Sequence, residues 1–460
     1  MRRLSAFCVL PIIFSLAGGC VSAHERSSRR AFEALGPAPL ARQAAPPRDA
    51  DREAPVEAVA EAETPEIADL PALLVEAALR SPALRAAWYD AQAADYAIPV
   101  SRRLPEPVVT YGVFLRQVET RVGPQSQRLG VMQGFPWPAR LGRAAGAAAA
   151  RAEAARRRFE ALRHQVRREI RRPWAELAVL NATAAELRAI DAVLERVQGS
   201  ARARVAVGMV GADDLARITL RRAELREREA SLADRAAALA ALVRSAAGLG
   251  PDTKLPEPSL EPVPAALAPM ATLRCALEAN PEIAAAVAEI EVASAEVSVA
   301  GSRRWPEFSL GADWTVVGEA RMPGVMDSGK DVVMVSAGIR VPLWSRSYSA
   351  EEDAAQARVE SARARRDGVL QRAEAELARI VAGHTGATRR VALYESELLP
   401  TAHAALNAAM VGYEAGRTSL NSVADLEESV LRYRLALLEA RAEQVFAVVD
   451  LERLLGTEVN

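Results

Sequence analysis

Few side chains in this 460-residue chain have the type and spacing that chemistry requires. None of the histidines lies at metal-ligand spacing from another, and the eight methionines are scattered along the sequence. The histidines are His24, His164, His384 and His403. The sequence also lacks a His-Glu-x-x-His motif, a nucleophile elbow and a phosphate-binding loop. We therefore expect no enzyme activity, no metal site and no cofactor.

One cysteine stands where a covalent modification is expected. Two arginines precede an apolar run over residues 4–16, and small residues lead from that run to Cys20. A charged start, a short apolar core and small residues are typical of a secretory signal. The Gly-Gly-Cys sequence resembles the cleavage box of bacterial lipoproteins, in which the cysteine is lipidated. We predict a signal peptide over residues 1–19 and a lipid on Cys20, with ordinary cleavage after Ala23 as the alternative.

The composition favours long helices. Half of the residues are hydrophobic, only 5% are aromatic, 25% are charged, and the formal net charge is −1. Such a mixture, rich in Ala, Leu, Glu and Arg, is typical of helical rods and coiled coils, and it excludes wholesale disorder. A net charge near zero gives no reason to expect nucleic acid. Residues 20–69 are rich in Pro, Ala, Glu and Arg without periodicity, so we predict a flexible tether there.

Landmarks in the first half of the chain recur in the same order in the second half. The recurring pairs are Pro82 and Pro281, Pro105 and Pro306, Pro136 and Pro342, Gly208 and Gly416, and Gly248 and Gly456. Ordered recurrence at a nearly fixed spacing indicates an internal duplication. We predict two repeats, residues 70–250 and 270–457, joined by a linker over residues 251–269.

Each repeat is predicted to contain a helix, two strands, a long helix and a shorter helix. In the strands, apolar residues alternate with polar residues or glycine, for example over 308–316 and 333–341. Strands of about ten residues with one apolar face are typical of transmembrane β-barrels. A hairpin lying on a soluble core is the alternative. The fold class is therefore mainly α, with a four-stranded transmembrane β contribution.

Four strands are too few to close a barrel, because small barrels need about eight. Open sheet edges are not tolerated in lipid, so strands that span a membrane would require an oligomer.

The long helix over residues 140–205 would extend about 100 Å at 1.5 Å per residue. Breaks are expected near the middle of both long helices, at Pro173 and at Gly383 with Gly386.

This order of elements resembles that of the TolC family of outer-membrane efflux channels. The segments Tyr413–Leu420 and Asp450–Gly456 are also similar to sequences of that family, and the resemblance covers residues 70–457. It implies a homotrimer with a twelve-stranded barrel in the outer-membrane lipid and an α-helical barrel crossing the periplasm. The implied partners are a periplasmic adaptor, or membrane fusion protein, and an inner-membrane pump. The implied function is a passive exit duct for drugs or metal cations.

The resemblance places the periplasmic tip, where the channel closes and the adaptor docks, at residues 206–213 and 412–421. The turn and docking residues that it implies are Gly208, Gly211, Gly416 and Arg417. The gate residues that it implies are Asp425, Asp213 and Asp214. Asp213 and Asp214 also fit a simpler role, as charges favoured by the dipole at a helix N-terminus.

Two further features bear on function. The Gln133–Pro138 segment resembles strand-to-helix junctions in the metal-exporting branch of the family. The arginines over residues 151–172 alternate with glutamates, so we interpret them as a solvated helix face and expect no nucleic-acid binding. The alternative function is a periplasmic adaptor or coiled-coil scaffold lipoprotein, but such adaptors do not normally carry a full-length duplication.

Overall fold

The structure is a computed structural model. It describes residues 23–35, 67–206, 211–415 and 417–457. The chain divides into two compact units. The first, which we call the sheet unit, contains residues 1–36, 89–156 and 285–366. The second, which we call the helical unit, contains residues 37–88, 157–284 and 367–460. Signal peptide 1–19, Cys20, Gly208 and Gly416 lie outside the described residues.

The described chain is mostly helical and has one small sheet, as the sequence predicts. In chain order the elements are α1 (Ala23–Glu33), α2 (Leu70–Arg80), α3 (Pro82–Val100), β1 (Val108–Val113), β2 (Glu119–Thr120), β3 (Gly123–Phe135), α4 (Pro138–Ala206), α5 (Ala212–Ala247), α6 (Met270–Ala276), α7 (Pro281–Ser302), β4 (Glu307–Val317), β5 (Val332–Arg340), α8 (Ser345–Leu393), α9 (Leu399–Glu414) and α10 (Leu420–Leu455). A 3₁₀ turn, Leu277–Ala279, precedes α7, and a π-helical turn, Tyr394–Leu398, separates α8 from α9.

The predicted helix breaks are misplaced. Helix α4 stays α-helical through Pro173, and α8 stays α-helical through Gly383 and Gly386. The residues after Pro173 are buried, at 2% exposure for Trp174 and 1% for Ala175, so packing holds the helix where a hydrogen bond is lost. The irregular turn lies instead at 394–398, where Pro400, two residues further on, has no N–H to donate to the carbonyl of Ser396.

The segment predicted to be a flexible tether contains a helix. In α1, Ser28 is only 4% exposed, and its hydroxyl donates to the carboxylate of Asp95. The same hydroxyl accepts from Nη1 of Arg156 at 2.9 Å, and that guanidinium lies 3.6 Å from Asp95. A buried polar contact with α3 and α4 thus orders residues whose composition alone predicts no order.

The sheet is antiparallel, with strand order β1-β3-β4-β5 and the short β2 paired to β3. Its register aligns Val109 with Val131, Val131 with Ala312, and Ala312 with Val335 in one row across the four main strands. Because side chains on a strand alternate between faces, this register collects most of the apolar residues on one face, and the charged residues and glycines on the other together with Val108, Met132, Val332 and Met334.

The helical unit is held by clusters of buried aliphatic residues between helices. One cluster unites Leu187, Leu194 and Ala201 of α4 with Ile218 and Leu225 of α5 and with Leu431 of α10. Helices α5 and α10 each end at a glycine with φ of 69°, Gly248 and Gly456, a left-handed conformation that glycine adopts without strain. None of the described helices is both long enough and apolar enough to cross a lipid bilayer.

Candidate membrane-facing sheet and helix-tip site

The apolar face of the sheet is largely uncovered. Its exposed members include Val335 at 78%, Val333 at 72% and Val109 at 64% of their full side-chain area. The other large exposed residues on this face are Tyr111, Val113, Leu129, Val131, Phe308, Leu310, Trp314 and Ile339. A contiguous exposed apolar surface of this kind marks contact with a partner or with lipid.

The opposite face of the sheet carries an ion pair and several glycines as well as apolar residues such as Met132 and Met334. Nε of Arg128 on β3 donates to Asp313 on β4 at 3.0 Å. Gly130 stands beside this pair, and a Cβ there would lie 2.5 Å from the Asp313 carboxylate and 2.6 Å from the Thr110 hydroxyl. Gly338 is similarly confined by Ser309, whose hydroxyl would lie 2.6 Å from an added Cβ. The absence of side chains at these glycines lets the polar groups of neighbouring strands approach one another.

Aromatic residues gather where the strands meet the helices. Trp137 and Trp305 stack with ring centroids 5.2 Å apart, and Phe308 lies 6.1 Å from Trp137. An apolar cavity of about 660 Å³ adjoins them, lined also by Leu104 and Leu141. Tryptophan prefers positions where one part of its ring is apolar and another is wet, as at the border of a membrane.

The first helix tip lies between α4 and α5. Gly211 caps α5 with φ of −72° and ψ of 150°, an extended conformation, so it does not use the freedom of glycine that a left-handed turn would need. Asp213 is exposed in the first turn of α5, where a carboxylate is favoured by the helix dipole. The side chain of Asp214 lies outside the described part of the chain.

The second helix tip lies between α9 and α10. The backbone N–H of Arg417 donates to the Gly412 carbonyl at 2.7 Å, and its side chain is exposed. Ser419 caps α10, since its hydroxyl accepts from the Ser422 N–H at 3.2 Å. These contacts close the turn with backbone groups and leave the Arg417 side chain facing solvent.

Asp425 is exposed on α10 and lines a cavity of about 430 Å³ between α4, α5 and α10. The charged groups that share the cavity are Arg217, Arg221, Glu427 and Glu428. Nη2 of Arg221 lies 3.2 Å from Glu428, and burial raises the pKa of Glu427 above its usual value while Arg221 opposes that shift. The structure thus brings Asp425 together with two further carboxylates, whereas Asp213 does not line this cavity.

Sequence reasoning missed Glu427 and Glu428. The signal was available, because both glutamates fall within one helical turn of Asp425. Three carboxylates and two guanidiniums around one cavity can attract cations and can also form ion pairs across helices. Within the described residues, no group of three or more His, Cys, Asp or Glu side chains is arranged to hold a metal ion.

Comparisons with known proteins agree with this architecture. Residues 272–457 match the family described as outer membrane efflux protein. The cobalt-zinc-cadmium resistance protein CzcC of Cupriavidus metallidurans is 26% identical over 276 residues, which are 58% of this chain and 61% of that protein. The outer membrane protein OprJ of Pseudomonas aeruginosa is 26% identical over 181 residues, 39% of this chain and 37% of that protein. The matched part therefore spans less than two thirds of either relative.

Solved structures of outer-membrane channels share the fold. VceC of Vibrio cholerae superposes with a TM-score of 0.71 at 21% identity, covering 85% of this chain and 97% of that chain. The channel OprN gives 0.70 at 18% identity with coverages of 90% and 98%, and CusC gives 0.69 at 16% with 84% and 92%. Proteins of this family are channels and not enzymes, which confirms the expectation of no catalysis. Residues 272–457 thus carry a domain of the outer membrane efflux protein family, and the chain shares its fold with outer-membrane channels.

Proposed function

We propose that the chain is the outer-membrane channel subunit of a tripartite efflux system, a passive exit duct across the periplasm and the outer membrane. The observation that carries this proposal is the two-sided sheet. One face is apolar and exposed around Val109 and Val335, and the other carries the Arg128–Asp313 pair. This division suits a barrel wall with lipid outside and water inside.

The open edges of the sheet support a closed trimer. Within the part of the chain that the structure describes, strands β1 and β5 each pair with a single neighbour. An unpaired edge in lipid leaves backbone N–H and C=O groups without partners, at a cost of several kcal/mol each. Three copies would supply twelve main strands and remove every edge by pairing β5 of one subunit with β1 of the next.

Equivalent glycine contacts support a duplication with repeats at 70–250 and 270–457. A Cβ at Gly248, which ends α5, would strike the Arg80 carbonyl just before Pro82. A Cβ at Gly456, which ends α10, would lie 2.7 Å from Pro281. Each glycine thus packs at the proline that starts the second helix of its own repeat, an agreement expected of two copies of one unit.

The helix tips are proposed to dock a periplasmic adaptor, which would in turn engage an inner-membrane pump. Arg417 is exposed beside the turn at residues 412–419 and is available to a partner. Gly208, Gly211 and Gly416 remain the proposed turn residues of this surface. Asp425, with Asp213 and Asp214, remains the proposed gate, and Glu427 and Glu428 line the same cavity as Asp425.

The cargo is proposed to be metal cations or drugs. The relative CzcC is named for cobalt-zinc-cadmium resistance, which favours divalent metal cations.

We also propose that residues 1–19 are removed and that a lipid on Cys20 anchors the N-terminus at the outer membrane. The intact mass of the purified protein tests this point, since a mass without the added acyl groups would exclude the anchor.

Single-channel recording in planar bilayers tests the proposed function. The purified full-length protein should insert and conduct ions as a trimer that is stable to mild detergent and dissociates on heating. A periplasmic adaptor or coiled-coil scaffold would remain a water-soluble protein after removal of its lipid and would not conduct. That result would overturn the channel proposal.

We expect Asp425→Asn to weaken block of the channel by divalent cations at least roughly fivefold, since even two unit charges about 4 Å apart in water attract each other by about 1 kcal/mol. Current–voltage curves with and without a divalent cation measure this change. Asp234→Asn, which alters an exposed carboxylate on α5, is the matched control. An unchanged curve for Asp425→Asn would remove this residue from the gate.

A further inference from the structure

The apolar cavity of about 660 Å³ at the end of the sheet is built by four segments of the chain. Phe135 ends β3, Phe308 is the second residue of β4, and Trp137 stands between β3 and α4. Leu104 lies in the connection from α3 to β1, and Leu141 lies in the first turn of α4. Every side chain that lines the cavity is apolar or aromatic. The volume falls in the range of about 300–1,000 Å³ that is typical of ligand pockets.

Two walls of the cavity belong to the apolar face of the sheet. Phe135 follows Val131 by four residues on β3, and Phe308 precedes Ala312 by four residues on β4, so all four side chains share one face. The register also places Phe135 directly opposite Phe308. In the proposed barrel this face meets lipid, so the cavity continues the lipid-facing surface at the border between strands and helices.

The position of the cavity in the sheet argues against a second subunit as its occupant. Phe135 and Phe308 lie on β3 and β4, which are the two inner strands of the sheet. The proposed trimer joins its subunits through the outer strands β1 and β5. Pairing of those edges therefore leaves the cavity to the surrounding lipid.

Two contacts hold the walls of the cavity in place. Nε2 of Gln133 on β3 donates to the Pro105 carbonyl at 2.7 Å, which ties the connection that carries Leu104 to the sheet. Trp305 stacks on the ring of Trp137 with the two rings only 16° from parallel. A site whose walls are already held loses little conformational freedom when a ligand enters.

Basic residues lie beside the cavity on the same connection. Arg102 and Arg103 immediately precede Leu104 and are exposed. Arg103 lies 3.6 Å from Glu106, whereas the Arg102 side chain has neither a hydrogen bond nor an ion pair within the described residues. A guanidinium without a counter-charge, two residues from an apolar cavity, suits a ligand that carries a phosphate next to a hydrocarbon chain.

We propose that this cavity binds one acyl chain of an anionic phospholipid from the periplasmic leaflet of the outer membrane, with the phosphate beside Arg102. The site rests on the proposed function, because it requires the apolar face of the sheet to meet lipid. Lipid chains are as apolar as the cavity, so van der Waals contact with the aromatic rings holds the chain in place. The positive charge of Arg102 selects the anionic headgroup.

Native mass spectrometry of the full-length protein in detergent, titrated with palmitoyl-oleoyl phosphatidylglycerol, tests this site. The wild type should retain one tightly bound lipid per subunit. Ala139 lines the cavity from the exposed start of α4, so Ala139→Phe places a ring where the chain would lie and should weaken binding at least about tenfold. Arg102→Gln should reduce the preference for phosphatidylglycerol over phosphatidylethanolamine about fivefold.

Ala354→Phe and Arg358→Gln are the matched controls, because they make the same changes at exposed residues of α8 that do not line the cavity. Both should bind lipid as the wild type does. If Ala139→Phe does not fold, Leu104→Trp fills the cavity from another wall. Equal lipid retention by the wild type and a folded, filled variant would overturn the site.

Two further outcomes are informative. Lipid that binds only after Cys20→Ala would mean that the acyl chains proposed on Cys20 occupy the cavity, which would also overturn the phospholipid site. Single-channel conductance separates this site from the channel proposal, because a wild type that conducts but retains no lipid would refute the lipid site alone. A wild type that does not conduct would refute the channel.

Discussion

Asp450→Ala is expected to lower the free energy of unfolding by about 3 kcal/mol, the lower end of the range for removing one partner of a buried ion pair. Asp450 on α10 is only 2% exposed. Its carboxylate lies 2.5 Å from Arg168, 3.2 Å from Arg172 and 3.6 Å from Arg379. One buried negative charge thus joins α4, α8 and α10.

The loss would come from the arginines left behind. Without Asp450, three guanidiniums face one another with no central counter-charge. They repel one another unless they move apart and are hydrated, and either outcome destabilises the folded state. The effect stays near the lower end because all three side chains are partly exposed, from 31% for Arg168 to 64% for Arg379. Asp450→Asn keeps one acceptor oxygen but loses the negative charge. Its free energy of unfolding should therefore lie between those of the wild type and Asp450→Ala.

Thermal and denaturant unfolding followed by helical circular dichroism measures this difference. Asp234→Ala on α5 is the control, because it removes an exposed carboxylate from the same unit. It should unfold within about 0.5 kcal/mol of wild type. Equal stability of Asp450→Ala and wild type would mean that the ion-pair hub does not hold these helices together.

The strands were the most predictable part of the fold. Alternation in the sequence placed Phe308, Leu310 and Trp314 on one face, and the register confirms that they align with apolar residues on β3 and β5. The period of two is a strong signal because a slip by one residue would move every apolar side chain to the polar face. The helices before the recurring prolines Pro105 and Pro306 end at Val100 and Ser302, a few residues before each proline.

The contacts between helices were far less predictable. Alanine occurs on every side of α4 and α8, so the sequence does not define which face of a helix meets which neighbour. The partners of Asp450 therefore could not be inferred, since Arg168, Arg172 and Arg379 are distant from it in the chain. Helix α1 could not be predicted for a different reason. The composition of its segment is typical of a linker, but the buried hydroxyl of Ser28 holds the helix in place.

The proposed barrel makes its sharpest prediction at Val335, which is expected not to tolerate arginine. Val335 lies in the middle of β5 on the apolar face, beside Ala312, and is 78% exposed. An arginine near the centre of a bilayer costs a transmembrane barrel about 2–4 kcal/mol, and a trimer would carry three. The amount of heat-modifiable trimer in outer-membrane fractions should therefore fall at least about tenfold.

The adjacent residue provides the matched control. Met334 is on the opposite, polar face of the same strand and is 46% exposed, so Met334→Arg adds the same charge at the same depth. If water fills the barrel, this arginine stays hydrated and the trimer should assemble near wild-type amounts. Equal loss of trimer in both variants would indicate that strand β5 tolerates arginine on neither face, so the loss would not report contact with lipid. Loss in Met334→Arg alone would mean that the polar face meets the lipid, which would reverse the proposed barrel.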